Sequence, residues 1–294
     1  MPVQGILGSL FKKNILKLNS YSDIFNLAFE YRYVSNNKSK RHLRKILKQA
    51  VTLNKPISKE DISYLHFISA QFLGFRQFKD AKILYNRILE VEPSDYQAIA
   101  LLLNIALHEN DRMQIIYYCN QLLKSDYRNY IKKSQPASGS SIPEIRDSIK
   151  RMADTFHNAG IIFTEMNEFE KAKTGYEIAF EIDPTLFEAH HNIGIILYKL
   201  KRYTEAINFF HKDIELIEIK TKNHQNHPGL KKVENEFLSR IYFNIGKSYF
   251  RMNQLTEAKK YLGKSVALDE ENKNQSIDKG IYELLSTLKH DPEL

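Results

Sequence analysis

The sequence predicts an all-α protein, a solenoid of stacked helical hairpins. Three observations carry that prediction. Segments of 34 residues repeat in register along the chain. The 11 Gly and 8 Pro leave little material for the many turns of an all-β fold. Pro56, Pro93, Pro136, Pro143, Pro184 and Pro228 all fall between expected helices or in their first turns. Apolar residues make up 43% and charged residues 27%, the balance of a folded chain. At 294 residues it is long enough for one large core or two modest domains.

The repeats justify the helices one by one. Residues 153–186 align without a gap on 187–217 at an offset of 34, which matches Gly160 to Gly194, Phe169 to Tyr203, Ala172 to Ala206 and Tyr176 to Phe210. A third copy, 239–272, repeats the pattern through Ile245, Gly246, Tyr249, Leu255, Ala258 and Leu262. An upstream copy, 62–95, keeps Phe72, Phe78, Ala81, Tyr85 and Pro93. Small residues let two helix backbones approach, and large ones fill the space between. On these residues the chain resembles the tetratricopeptide repeat family, whose pattern the copy at 153–186 meets with Phe156, Ala159, Gly160, Phe163, Ala172, Tyr176, Ala179 and Pro184. The resemblance implies a right-handed superhelix. Position 8 departs from the pattern at Ser69, and position 27 at Ile88, Asp213 and Ser265. Residues 96–129 read as a degenerate copy without the Gly or the Ala of position 20.

Five segments follow from this register: a basic helical N-terminus (1–57), two repeats of which the second is degenerate (58–129), a loop (130–145), three repeats with an insertion near 218–236 (146–272), and a capping helix (273–294). SQPASGSS (134–141) and NHQNHPG (223–229) read as loops. After them, long helices run from about Ser141–Pro143 to Glu165 and from Leu230 through Phe250.

The formal charge is +8, and its location matters more than its sum. Residues 1–56 hold eleven Lys/Arg against Asp23 and Glu30, a local +9, and the remainder carries −1. A nucleic-acid binder spreads positive charge along a face of the whole fold, so nucleic acid is not expected as a partner. KSKRHLRKILK (38–48) lacks an aromatic stacking platform and reads as a solvated basic helix. An N-terminal contact surface is expected from Lys12, Lys13, Lys17, Lys40, Arg41, Arg44, Lys45 and Lys48, with a membrane surface or large assembly as its target. The alternative is that residues 1–18 form a helix capping the core. No apolar run reaches eighteen residues, no secretory leader is recognisable, and Cys119 is the one cysteine. The expected location is the cytoplasm, with peripheral attachment to the inner membrane as the alternative. The composition, rich in Lys, Asn and Ile with no Trp, points to a bacterial source with an AT-rich genome.

No phosphate loop, dinucleotide-binding glycine run, zinc-binding HExxH or nucleophile elbow is present, so neither an enzyme nor a cofactor is expected. His190 and His191, as helix neighbours, are expected on different faces and hold no metal ion between them. His211, His224 and His227 read as ordinary solvated histidines, and Cys119 as a buried, inert thiol.

The resemblance places the partner site instead on a concave groove lined by the first helix of each repeat. Position 6 there is Asn158, Asn192 and Asn244, a column able to bracket a peptide backbone, or alternatively to bond locally. Around it fall His157, Ile161, His191 and Ile195, then Tyr198, Phe243, Lys247 and Arg251. A family subtype clamps chaperone carboxylate tails; the matching positions here are His157, Ile161, Asn192, Arg240 and Asn244, too few cations for such a clamp. The resemblance thus implies a non-enzymatic adaptor for a protein partner.

Overall fold

The computed structural model describes residues 18–31, 37–134, 142–221 and 228–272. Among these residues there are α-helices and no strand, and the chain divides after Ser141 into two compact units. The first unit holds α1 (Tyr21–Tyr31), α2 (Asn37–Thr52), α3 (Asp61–Gly74), α4 (Phe78–Val91), α5 (Tyr96–Glu109), α6 (Arg112–Leu122) and α7 (Tyr127–Ser134). The second holds α8 (Ile142–Glu165), α9 (Phe169–Ile182), α10 (Phe187–Lys199), α11 (Tyr203–Thr221), α12 (Pro228–Arg251) and α13 (Leu255–Asn272). In the second unit each helix packs on the next in sequence, and α10 also packs on α12.

One turn geometry recurs between the two helices of every repeat. Arg76, Asn110, Asn167, Lys201 and Asn253 all have φ between 54° and 62°, and each is repeat position 15. The following N–H closes back on position 11 in every case: Gln77 to Phe72, Asp111 to Ala106, Glu168 to Phe163, Arg202 to Leu197 and Gln254 to Tyr249, at 2.9–3.0 Å. A left-handed residue followed by this long backward bond is a helix stop that satisfies an orphan carbonyl. The degenerate copy 96–129 therefore turns as the others do, although its sequence lacks the family glycine.

The repeat core is a set of size-matched pairs. A Cβ on Gly160 would lie 2.6 Å from Tyr176 Cε1, on Gly194 2.5 Å from Phe210 Cε1, and on Gly246 2.7 Å from Leu262 Cγ. Position 8 is thus the floor on which the position-24 side chain rests. In the degenerate copy the sizes are reversed, with Leu103 and Cys119 both buried.

Prolines act as helix starters: Pro143 lies in the first turn of α8 and Pro228 opens α12. The expected loop over 130–145 is shorter, because α7 continues to Ser134 and α8 begins at Ile142. The insertion near 218–236 is likewise taken up by the extension of α11 to Thr221 and the early start of α12. The expected capping helix at 273–294 and the amphipathic segment at 1–18, except for Leu18, lie outside the described residues.

Candidate functional site

The first helices of the second unit, α8, α10 and α12, carry all eleven residues named above for the groove. Their side chains form a ladder between adjacent repeats. Asn192 Nδ2 lies 3.0 Å from His157 Nε2, and Asn244 Nδ2 lies 3.3 Å from His191 Nε2. Position 6 of one repeat therefore bonds position 5 of the repeat before it. Asn192 and Asn244 each commit one amide N–H to a ring nitrogen, while Asn158 is exposed.

Asp213, 3% exposed, explains one departure from the family pattern. It stands where an alanine is expected, and its two oxygens meet His190 Nδ1 and His191 Nδ1, the latter at 3.0 Å. A buried carboxylate accepts, so each ring donates from Nδ1 and His191 Nε2 keeps the lone pair that Asn244 reaches. His190 and His191 thus converge on one acceptor, contrary to the expectation from their adjacency. Rings 100° apart around a helix can both bend to a carboxylate lying between them on the packed helix. His190 is further held between Phe180 and Phe209, at 4.7 and 4.9 Å between ring centres. Burial pushes the His157 pKa below the usual imidazole range, so its ring is neutral and accepts from Asn192.

Beyond the ladder the remaining named groove residues are apolar, aromatic or cationic, while Asp154 and Glu188 bring carboxylates near His157. Ile161 is 37% exposed, and Ile195, Phe243 and Lys247 are half-buried. Lys247 Nζ stands 4.8 Å from the Tyr198 ring centre and 5.0 Å from that of Phe243. Arg251 Nε donates to Tyr198 Oη over 3.1 Å. No group of three or more His, Cys, Asp or Glu among the described residues is arranged to hold a metal. His211 is half-buried against Tyr261, and Cys119 is fully buried with its thiol pushed up to about 12 by burial.

The expected basic surface divides. Lys12, Lys13 and Lys17 lie outside the described residues. Lys40, Arg41, Arg44, Lys45 and Lys48 are exposed on α2, and the opposite stripe of Leu43, Ile46, Leu47 and Ala50 is buried in the first unit. Each large side chain of that stripe stabilises the packed helix by roughly 1.5–3 kcal/mol. Its apolar face is therefore occupied, and only charge is offered outward.

One cleft was not foreseen from the sequence. A cleft of about 490 Å³ in the first unit is lined by His66, Asp95, Lys59, Glu92, Asn129 and Tyr130, among others. His66 Nε2 lies 3.1 Å from Asp95 Oδ2, whose other oxygen caps α5 at the Ala98 N–H. The signal was present: His66, His157 and His191 all occupy repeat position 5.

The tetratricopeptide repeat family pattern matches residues 189–228 and 239–272. Over these residues the chain carries tetratricopeptide repeats. Such repeats bind protein partners, which gives the repeat protein its general character as an interaction adaptor. No curated protein matches it. Solved structures similar to this repeat protein include YrrB, described as a TPR protein with an unusual peptide-binding site (15% identity, 83% of this chain and 97% of that one, TM-score 0.47). Another is the MamA protein (16% identity, 74% and 96%, TM-score 0.44). A third is the C-terminal part of a TPR repeat-containing protein from Cytophaga hutchinsonii (12% identity, 94% and 92%, TM-score 0.48). No helix among the described residues is long and apolar enough to cross a membrane.

Proposed function

We propose that this repeat protein is a non-enzymatic adaptor that holds a peptide or helix of a protein partner in the groove of its second unit. The observation that carries this reading is the Asn–His ladder, which ties α8, α10 and α12 into one pre-organised surface. Pre-organisation lowers the ordering cost of binding, so exposed Ile161 and half-buried Ile195 present apolar contact at small entropic cost. The test is recovery of partners from a lysate of the native cell by tagged full chain and by the double variant Ile161→Glu, Ile195→Glu. Partners lost from the variant, with its helical content intact, support the groove; unchanged recovery counts against it.

A second reading concerns the basic N-terminus. The five exposed cations of α2 form no ion pair among the described residues, and the apolar face beneath them is buried. Attachment to an anionic membrane surface through α2 would therefore be electrostatic and without insertion. Full chain should sediment with anionic vesicles at low salt, and the variant Lys40→Glu, Arg44→Glu, Lys48→Glu should not. Absence of sedimentation by the intact chain sinks this second reading.

A further inference from the structure

We infer that the groove face of α12 recognises an acidic segment of the partner through its carboxylate side chains. The inference rests on the groove reading above and adds the chemistry of the occupant. Arg240, Phe243, Asn244, Lys247 and Arg251 recur at helical spacing and form one row on α12. Three of the five are cations, and no carboxylate among the described residues pairs with any of them.

The cations are held by aromatic rings instead. Lys247 sits over two rings, Tyr198 and Phe243. Arg240 lies 4.9 Å over Phe237, and Arg251 is fixed by its bond to Tyr198 Oη. A ring face attracts a cation without using up its N–H donors. Each of these groups is thus positioned, yet still able to donate to a carboxylate. Between them, Asn244 spends one N–H on His191 and keeps its carbonyl and second N–H for a main chain.

That composition fits a peptide better than a polyanion. Charge-driven binding to nucleic acid or lipid scales with the number of phosphates neutralised. The α12 row offers three cations over a length of about 16 Å at 1.5 Å per residue, interleaved with a ring and an amide. The face of α2, with five exposed cations, one of which (Arg44) lies over the Phe75 ring, is the denser positive surface. Nor does the row form a pocket for a chain-terminal carboxylate, because its cations are strung along one helix.

The experiment pans a displayed library of random 12-residue peptides, fused so that no C-terminal carboxylate is free, against the full chain. Enriched peptides should be net acidic and should elute when salt rises from about 0.05 to about 0.5 M. The variant Arg240→Glu, Lys247→Glu, Arg251→Glu should bind them at least about tenfold more weakly. Lys259→Glu, on the second helix of the same repeat, should bind them as the native chain does. If the triple variant unfolds, Lys247→Ala and Arg251→Ala singly take its place with a smaller loss in the same direction. Neutral or basic enriched peptides would overturn the acidic occupant while leaving the groove reading standing. Acidic peptides that bind the triple variant equally well would overturn the placement on α12. No enrichment at all would overturn both. Vesicles of phosphatidylglycerol bound through these three cations, with no peptide enriched, would reassign the row to lipid and overturn the inference.

Discussion

The two units share one register and fill it differently. In the second unit, glycine at position 8 lies against Tyr176, Phe210 or Leu262, and position 27 is Ala179, Asp213 or Ser265. Asp213 meets two histidines, and Ser265 exchanges bonds of 2.7 and 2.9 Å with Ser239. In the first unit, position 8 is Ser69 or Leu103 and position 27 is Ile88 or Leu122, all buried. Ser69 Oγ and Tyr85 Oη there have no hydrogen-bond partner. The comparison shows that the family pattern constrains pairs rather than single residues. A departure at one position is tolerated where its facing partner answers it, and the second unit answers with polar side chains.

The largest expected effect breaks that answer. Asp213→Ala restores the family residue but strands the N–H groups of His190 and His191, and should cost about 3 kcal/mol in urea unfolding. A cost near zero would mean the carboxylate is not engaged as described. Next come the glycines. Gly194→Ala drives a Cβ into the buried Phe210 ring and should destabilise by roughly 1–3 kcal/mol. Gly74→Ala in the first unit meets no atom within 4 Å, and should stabilise by about 0.5–1 kcal/mol. Equal effects of the two, read as unfolding midpoints, would erase the contrast in packing.

Smaller shifts sharpen the comparison. Ser69→Ala removes a buried hydroxyl that has no partner, so a gain of up to about 1 kcal/mol is expected. A loss would mean that the hydroxyl is satisfied. Burial lowers the pKa of both His157 and His211 in the second unit. A depressed imidazole pKa means the unfolded chain binds the proton more tightly, so stability present above about pH 6.5 is lost as pH falls. His157→Gln should flatten part of that dependence; an unchanged pH profile of the unfolding midpoint would remove His157 from it.

Much of the fold was legible in the sequence because a helical hairpin repeated every 34 residues imprints its own period. The long helices α8 and α12 were legible too, from Pro143 and from the run after Pro228. The site was legible only as a set of positions. Asp213 stood out as a misfit, but its partners lie 22 and 23 residues away on another helix, and single-helix geometry sent His190 and His191 to different faces. The position-15 turn was hidden as well, because Arg76 and Lys201 hold a left-handed conformation for which glycine or asparagine is the usual sign. The sequence left the asparagine column open between bracketing a peptide and bonding locally, and two of its three members bond the histidines of the preceding repeat.

The most direct test of the adaptor reading is site-specific photocrosslinking in the native cell. A benzophenone side chain would replace Ile161 or Lys247 on the groove, and Lys173 or Lys259 on the second helices. Discrete adducts with one protein partner from both groove positions, and none from the other two, are the predicted result. Adducts from the second helices alone, or none from the groove, would contradict the account.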